Sequence, residues 1–277
     1  MAQLLGKIQE YYNFVFYDLC DDRTRDMTPT PLFMIITIPL YLYLCKRLGP
    51  RLMQDVKPFE LKNTILVYNI IQIVASAYIC ILGLSSGWIN EYSWTCQPVD
   101  MTENPNSRGM LNAVWGYTIL KIVDLLDTLF FVLRKKERQI SFLHVFHHSI
   151  MPIASYIAIK YYPNGQSTLL GVINCFVHVI MYTYYLIAGL GPQYQKYLWW
   201  KKHVTTLQLV QFIIIFFHQL SAIYEDCGYP KWISTLLCIH SLQFIYLFGN
   251  FYYMSYVKRP TNERKNGSVT NGKTKVN

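Results

Sequence analysis

Seven blocks of predominantly apolar residues decide what this 277-residue chain can fold into. They lie at 31–48, 64–87, 110–134, 141–159, 165–188, 203–224 and 232–257. A run of about 20 apolar residues is long enough to cross a bilayer as a helix, and in lipid an open chain satisfies its own backbone only in that form. Charged residues make up 15% of the chain and hydrophobic ones 52%, a balance an ordinary soluble domain does not show. The expectation is an all-α membrane protein of seven transmembrane helices over 31–257. Residues 1–30 form an N-terminal segment without the basic start and cleavage site of a signal peptide, and residues 258–277 form a tail.

The basic residues orient the spans. An odd number of crossings puts the termini on opposite sides. Residues 46–63, 134–140, 189–202 and 258–277 carry 18 of the 25 Lys and Arg, and residues 1–30, 88–109 and 225–231 carry 5. Positively charged loops stay in the cytosol, so the C-terminus is expected to be cytosolic and the N-terminus lumenal. The net charge of +9 is therefore a loop signature and does not call for nucleic acid. Cys96 and Cys227 then fall in lumenal loops, where disulfides form. They are expected to bridge, with two unpaired thiols as the alternative. Cys45, Cys80, Cys175 and Cys238 lie in apolar spans and read as small hydrophobes.

Ionisable residues inside the spans point to chemistry, because they are costly there. His144, His147 and His148 share one face of the fourth span. Pro152 follows, and cannot donate to the carbonyl of His148. Lys121, Asp124, Asp127 and Thr128 form one stripe of the third span, either a structural ion-pair network or the wall of an active site. Asn174, His178 and Tyr182 form a stripe of the fifth. Thr205, Gln208 and Gln211 form one of the sixth. His203, His218 and His240 read as satisfied helix residues, and the first span shows no chemistry. At about 1.5 Å per residue, Asp127, His144, His178 and Gln208 fall in the cytosolic half. Arg134, Lys135, Lys136, Lys201 and Lys202 would form a basic rim above them. Such a site suits an amphiphile with an anionic head and a long apolar tail, as an acyl-CoA has.

The ordered boxes GPRLM with KPFELK (49–62), KIVDLLDT (121–128), HVFHH (144–148), HVIMYTYY (178–185) and TTLQLVQ (205–211) resemble the ELO family of very-long-chain fatty acid elongases, the membrane 3-ketoacyl-CoA synthases. The resemblance covers nearly the whole chain. It departs mildly at Asp124, where many members carry Glu. It implies six helices in a barrel around an acyl tunnel, with the first helix outside. It also implies a condensation of a long-chain acyl-CoA with malonyl-CoA, with no cofactor and no metal.

The resemblance puts an acyl-imidazole on His147, with His144, His148 and His178 orienting it and moving protons. Asp127, Asp124 and Lys121 would fix tautomers and field, and Asn174, Tyr182 and Gln208 could donate to oxyanions, with Gln211 beside them on the substrate. Cys175 is the rival nucleophile. The tail places Lys273 and Lys275 where a dilysine retrieval signal of the endoplasmic reticulum stands, and leaves the Asn266 sequon in the cytosol, unglycosylated. The bilayer, the reductases and dehydratase of the elongation cycle, and a second copy of the chain are the expected partners. Two other classes compete. A membrane di-iron desaturase or hydroxylase needs about eight histidine ligands, and the chain has seven histidines. A seven-helix receptor or transporter lacks its motifs after the third and seventh spans.

Overall fold

A computed structural model describes residues 2–258, with the side chains of residues 2 and 3 left out. Lys273, Lys275 and the sequon at Asn266 lie outside the described residues. Within them the chain is helical, without a strand. The main helices are α1 (Ala2–Asn13), α2 (Pro31–Leu52), α3 (Lys62–Trp88), α4 (Pro105–Val123), α5 (Leu125–Leu133), α6 (Phe142–Tyr161), α7 (Thr168–Leu190), α8 (Lys201–Tyr224) and α9 (Lys231–Val257). Six of these are long and apolar enough to cross a membrane: α2, α3, α6, α7, α8 and α9.

The third apolar block is where the structure differs from the expected single helix over 110–134. It is two helices, α4 and α5, interrupted at Asp124. The chain barely pauses there. The Asp124 N–H still donates to the Leu120 carbonyl at 2.8 Å, while the Asp127 N–H donates to the Asp124 carbonyl three residues back at 3.2 Å. That is a tightened turn, at the residue whose carboxylate is pulled toward Lys121. The break leaves α5, nine residues long, too short to cross a membrane by itself.

Local sequence sets the helix starts. Asn104 caps α4 through its side chain, 2.7 Å from the Ser107 N–H, with Pro105 at the first helical position. Ser141 caps α6 in the same way through the His144 N–H at 3.2 Å, so the histidine box opens on a fixed turn. α6 runs on through Pro152. α3 lies along α7 and α8 along α9, with α4 between α3 and α6. Gly83 lets α3 approach α7 closely, since a Cβ there would stand 2.7 Å from Val172. α2 packs the stripe Met34, Ile38, Tyr41 and Cys45 against Leu125, Val132, Val145 and Tyr156 of α5 and α6.

One end of the bundle is closed by polar contacts between loops. Cys96 and Cys227 are bridged, with Cα atoms 6.0 Å apart. Arg23 pairs with Asp21 and also donates to the carbonyls of Asp100 and Thr102 and to Ser107 Oγ. Gln166, fully buried, accepts from the Gln97 N–H at 2.8 Å and donates to the His218 carbonyl at 2.7 Å. The bridge closes a loop across a sequence separation of 131 residues, for which chain entropy alone allows roughly 4–5 kcal/mol. Cys96→Ser is expected to cost about 2–5 kcal/mol, read as a lowered thermal unfolding midpoint in detergent. The Cys96→Ser/Cys227→Ser pair should fall no further, and thiol reductant should bring the parent down to the variants.

Candidate active site

The buried charges of α4 and α5 meet the histidines of α6 and α7 at one level of the bundle. Lys121 Nζ stands 2.8 Å from Asp124 Oδ2, both side chains at most 4% exposed. It also lies 3.4 Å from either ring nitrogen of His178, whose Nδ1 is 3.9 Å from Asp124 Oδ2. The other oxygen of Asp124 accepts from Gln72 Nε2 at 2.5 Å and from the Tyr182 hydroxyl at 3.1 Å. Tyr182 is within 2.9 Å of Asp127 Oδ2 as well, and Gln72 also donates to the Tyr68 hydroxyl at 2.9 Å. Two carboxylates, a lysine and a histidine are thus held by one hydrogen-bonded network across α3, α4, α5 and α7.

The histidine box divides by direction. His144 Nε2 shares a 2.8 Å hydrogen bond with Thr128 Oγ1, which is 2.7 Å from the Tyr41 hydroxyl. That chain fixes the His144 ring from behind. His148 lies between its neighbours, 4.1 Å from the His144 ring and 5.3 Å from the His147 ring, and its buried Nδ1 has no hydrogen-bond partner among the described residues. His147 packs edge-on to Phe244 at 5.5 Å and lines a partly open cavity.

That cavity is an apolar tunnel of about 110 Å³. Its wall includes Met110, Val172, Phe212 and Phe244, with Asn174 and Gln211 among the few polar side chains. The Asn174 carboxamide accepts from the Tyr117 hydroxyl at 3.1 Å. Of the four histidines expected in the site, His147 is the one in the tunnel wall; His144, His148 and His178 stand behind it. Tyr182, expected to bind substrate, is fully buried in the carboxylate network. Gln208 contacts Met181 Sδ at 3.5 Å, outside the tunnel wall. Lys135, Lys136, Lys201 and Lys202 are exposed, and Arg134 is half-buried, at the end opposite the disulfide. Lys135 Nζ donates to the Gln54 carbonyl at 3.0 Å.

Cys175 is 1% exposed, packed with Cys80 and Tyr117 in the apolar core outside the tunnel wall. Among the described residues no group of three His, Cys, Asp or Glu is arranged to hold a metal ion.

Three participants were not assigned from sequence. Tyr41 comes from the span in which no chemistry was read. Gln72 belongs to a polar stripe, Asn69, Gln72 and Ser76, that reads equally well as interhelical bonding. His240 lines the tunnel although it reads as a satisfied helix residue, and its Nδ1 has no partner among the described residues. The stripe spacing was the available signal for Gln72; nothing singled out Tyr41. His218 sits where the bland reading put it, against Trp88 and Gln166, and exposed His203 against Trp199.

Helices of membrane length, with a charged and histidine-rich centre beside an apolar tunnel, define a multi-pass membrane protein. Residues 26–264 match the family model described as ELO, the GNS1/SUR4 family. A very long chain fatty acid elongase of Aedes aegypti is 44% identical over 239 residues, 85% of this chain and 67% of that protein. Very long chain fatty acid elongase 7 of Drosophila melanogaster is 41% identical over 86% of this chain and 74% of its own. Human very long chain fatty acid elongase 1 is 40% identical over 90% and 91%. The chain belongs to the ELO family.

The Lys121–Asp124 pair gives a stability test. Removing one partner of a buried pair leaves an uncompensated charge, at a cost of about 3–5 kcal/mol. Lys121→Met should show that loss in thermal unfolding, whereas Lys121→Met/Asp124→Leu should recover most of it.

Proposed function

We propose that this protein is a very-long-chain 3-oxoacyl-CoA synthase, an acyltransferase that carries out the condensation opening each round of fatty acid elongation. In this reading it joins a long-chain acyl-CoA to malonyl-CoA, giving a 3-ketoacyl-CoA two carbons longer, CoA and CO2. The observation that carries it is His147, the box histidine that lines the apolar tunnel while His144 is anchored away from it on Thr128. Imidazole near neutrality serves as nucleophile, base or donor.

A ring nitrogen of His147 attacks the thioester carbonyl, and the acyl–sulfur bond breaks as CoA leaves with a proton. Loss of CO2 from malonyl-CoA leaves an enolate, whose carbon attacks the acyl-imidazole. The carbon–nitrogen bond breaks, the departing imidazole nitrogen takes up a proton from solvent so that His147 is regenerated, and the 3-ketoacyl-CoA is free. His148 and His144 hold and exchange protons beside His147. Lys121 and Asp124, beside His178, fix that ring and the field in which the oxyanions develop, and Asn174 and Gln211 can donate from the tunnel wall. Arg134, Lys135, Lys136, Lys201 and Lys202 suit the CoA phosphates.

The same reading has seven crossings, the third built from α4 and α5, with α3 to α9 surrounding the tunnel and α2 outside. It places the protein in the endoplasmic reticulum membrane, N-terminus lumenal and C-terminus cytosolic, with the disulfide in the lumen. It works there beside the ketoreductase, dehydratase and enoyl reductase of the cycle and in contact with a second copy of itself.

The test is a detergent-purified protein given stearoyl-CoA and malonyl-CoA, with 3-ketoeicosanoyl-CoA sought by mass spectrometry. Omitting malonyl-CoA should leave the acyl group on the protein, released by hydroxylamine. His147→Ala should lose both the adduct and at least about 100-fold in turnover, while Cys175→Ala keeps both. An adduct that survives His147→Ala and disappears in Cys175→Ala would replace this scheme with a thiol one. A parent that forms no 3-ketoacyl-CoA with any of a panel of acyl-CoAs would end the elongase reading.

A further inference from the structure

At Ile79 the tunnel and the outer surface of the bundle are one side chain apart. Inside, Ile79 lines the tunnel beside Met110 and Ala113. Outside, it lines a groove between α3 and α4 with Ala75, Gly116 and Ile119. Gly116 makes this possible. A Cβ there would stand 3.1 Å from Cδ1 and 3.2 Å from Cγ1 of Ile79, so the seam between the two helices is an isoleucine laid on bare backbone. Its neighbours Tyr78 and Ile119 are exposed on the groove side, where a membrane-spanning helix meets lipid.

The tunnel is short for what its family's names describe. His147, in the second turn of α6, and Tyr162, just past its end, both line it and are fifteen residues apart, which is about 22 Å at helical rise. One leaflet of hydrocarbon is about 15 Å deep, so the straight run takes a chain roughly half as long again as a leaflet. A longer chain meets two different barriers. At the deep end Thr168 is locked between Trp88 Nε1 at 3.0 Å and the Gly165 carbonyl at 2.7 Å, next to fully buried Gln166. Passing there breaks buried hydrogen bonds and leaves their partners unmet. At Ile79, seven residues beyond Gln72 and so about 10 Å deeper than the ion pair, the barrier is the packing of one isoleucine side chain on Gly116, with no side-chain hydrogen bond to break. Beyond it lies hydrocarbon as apolar as the chain itself.

We propose that Ile79 gates a side portal, through which the distal end of an acyl chain longer than the tunnel passes between α3 and α4 into the bilayer. The proposal rests on the elongase reading above. It makes Ile79 and Gly116 the residues that decide how the longest acceptors are accommodated.

The experiment reconstitutes the enzyme in phosphatidylcholine nanodiscs. Condensation is measured on saturated acyl-CoAs that lengthen two carbons at a time. Ile79→Ala should raise turnover of acceptors beyond the parent's optimum by about tenfold relative to shorter ones, on the scale of one methylene's worth of pocket discrimination. Ala75→Phe fills the groove from a position outside the tunnel wall. It should cancel that gain in the double variant, and alone it should depress only the longest acceptors. An Ile79→Ala profile identical to the parent's would overturn the portal. So would a gain that survives Ala75→Phe, since the extra room would then lie inside the tunnel. If Ile79→Ala fails to fold, Ala75→Phe alone decides: an unchanged profile for the longest acceptors rejects the portal. Failure of the parent on every acceptor is a different result, which removes the elongase reading and the portal together.

Discussion

The structure depends on keeping a lysine and two carboxylates at membrane depth. Each charge alone near the centre of a span costs on the order of 2.5–3.5 kcal/mol, and unpaired burial costs more. Lys121 and Asp124 answer one another at 2.8 Å. The remaining acceptor positions of Asp124 are filled by Gln72 and Tyr182, and Asp127 is held by Tyr182. The donors come from α3 and α7, so the pair can be satisfied only when those helices stand in one register with α4 and α5. A polar network of this kind specifies an arrangement more than it stabilises it.

The apolar surroundings then make that network useful. His147 faces a tunnel whose wall is nearly all hydrocarbon, while His144 and His178 are held outside that wall by Thr128 and Lys121, with His148 packed between the box histidines. One ring of the box is thereby aimed from a polar side into an apolar one. The division follows from helical spacing. His144 and His148, four residues apart, stack on one another at 4.1 Å, and His147, one residue off that row, is rotated toward Phe244 and the tunnel.

Much of this could be read from the chain because it follows from periodicity. Apolar length announces the helices, and residues three or four apart must share a face, which brings Lys121, Asp124 and the histidine box forward. The placement of individual partners was not legible, because it depends on how far one helix slides along another. Tyr41 and Gln72 are single polar residues in apolar helices, indistinguishable in sequence from packing residues. Tyr182 carries the right group on the right face, yet points into the carboxylates and not into the tunnel. The interruption at Asp124 is one residue long and leaves the hydrophobic pattern intact, so only the backbone reveals it. Tyr162 and Thr168 as the tunnel's far wall depend on helix offsets that composition does not carry.

The spacing of Lys121 and Asp124 also bears on how the chain enters a membrane. The two lie one turn apart on the same block, so each is the other's nearest counter-charge from the moment that block becomes helical. Nothing still to be synthesised is needed to neutralise them. The pair can be handed to lipid as a net-neutral unit, and His178, which arrives more than fifty residues later, meets a pair already made. An exchange that preserved composition but moved Asp124 to the far face of α4 would leave the finished protein with the same charges. The nascent chain, however, would carry a bare lysine across the bilayer's edge until a later helix came to cover it.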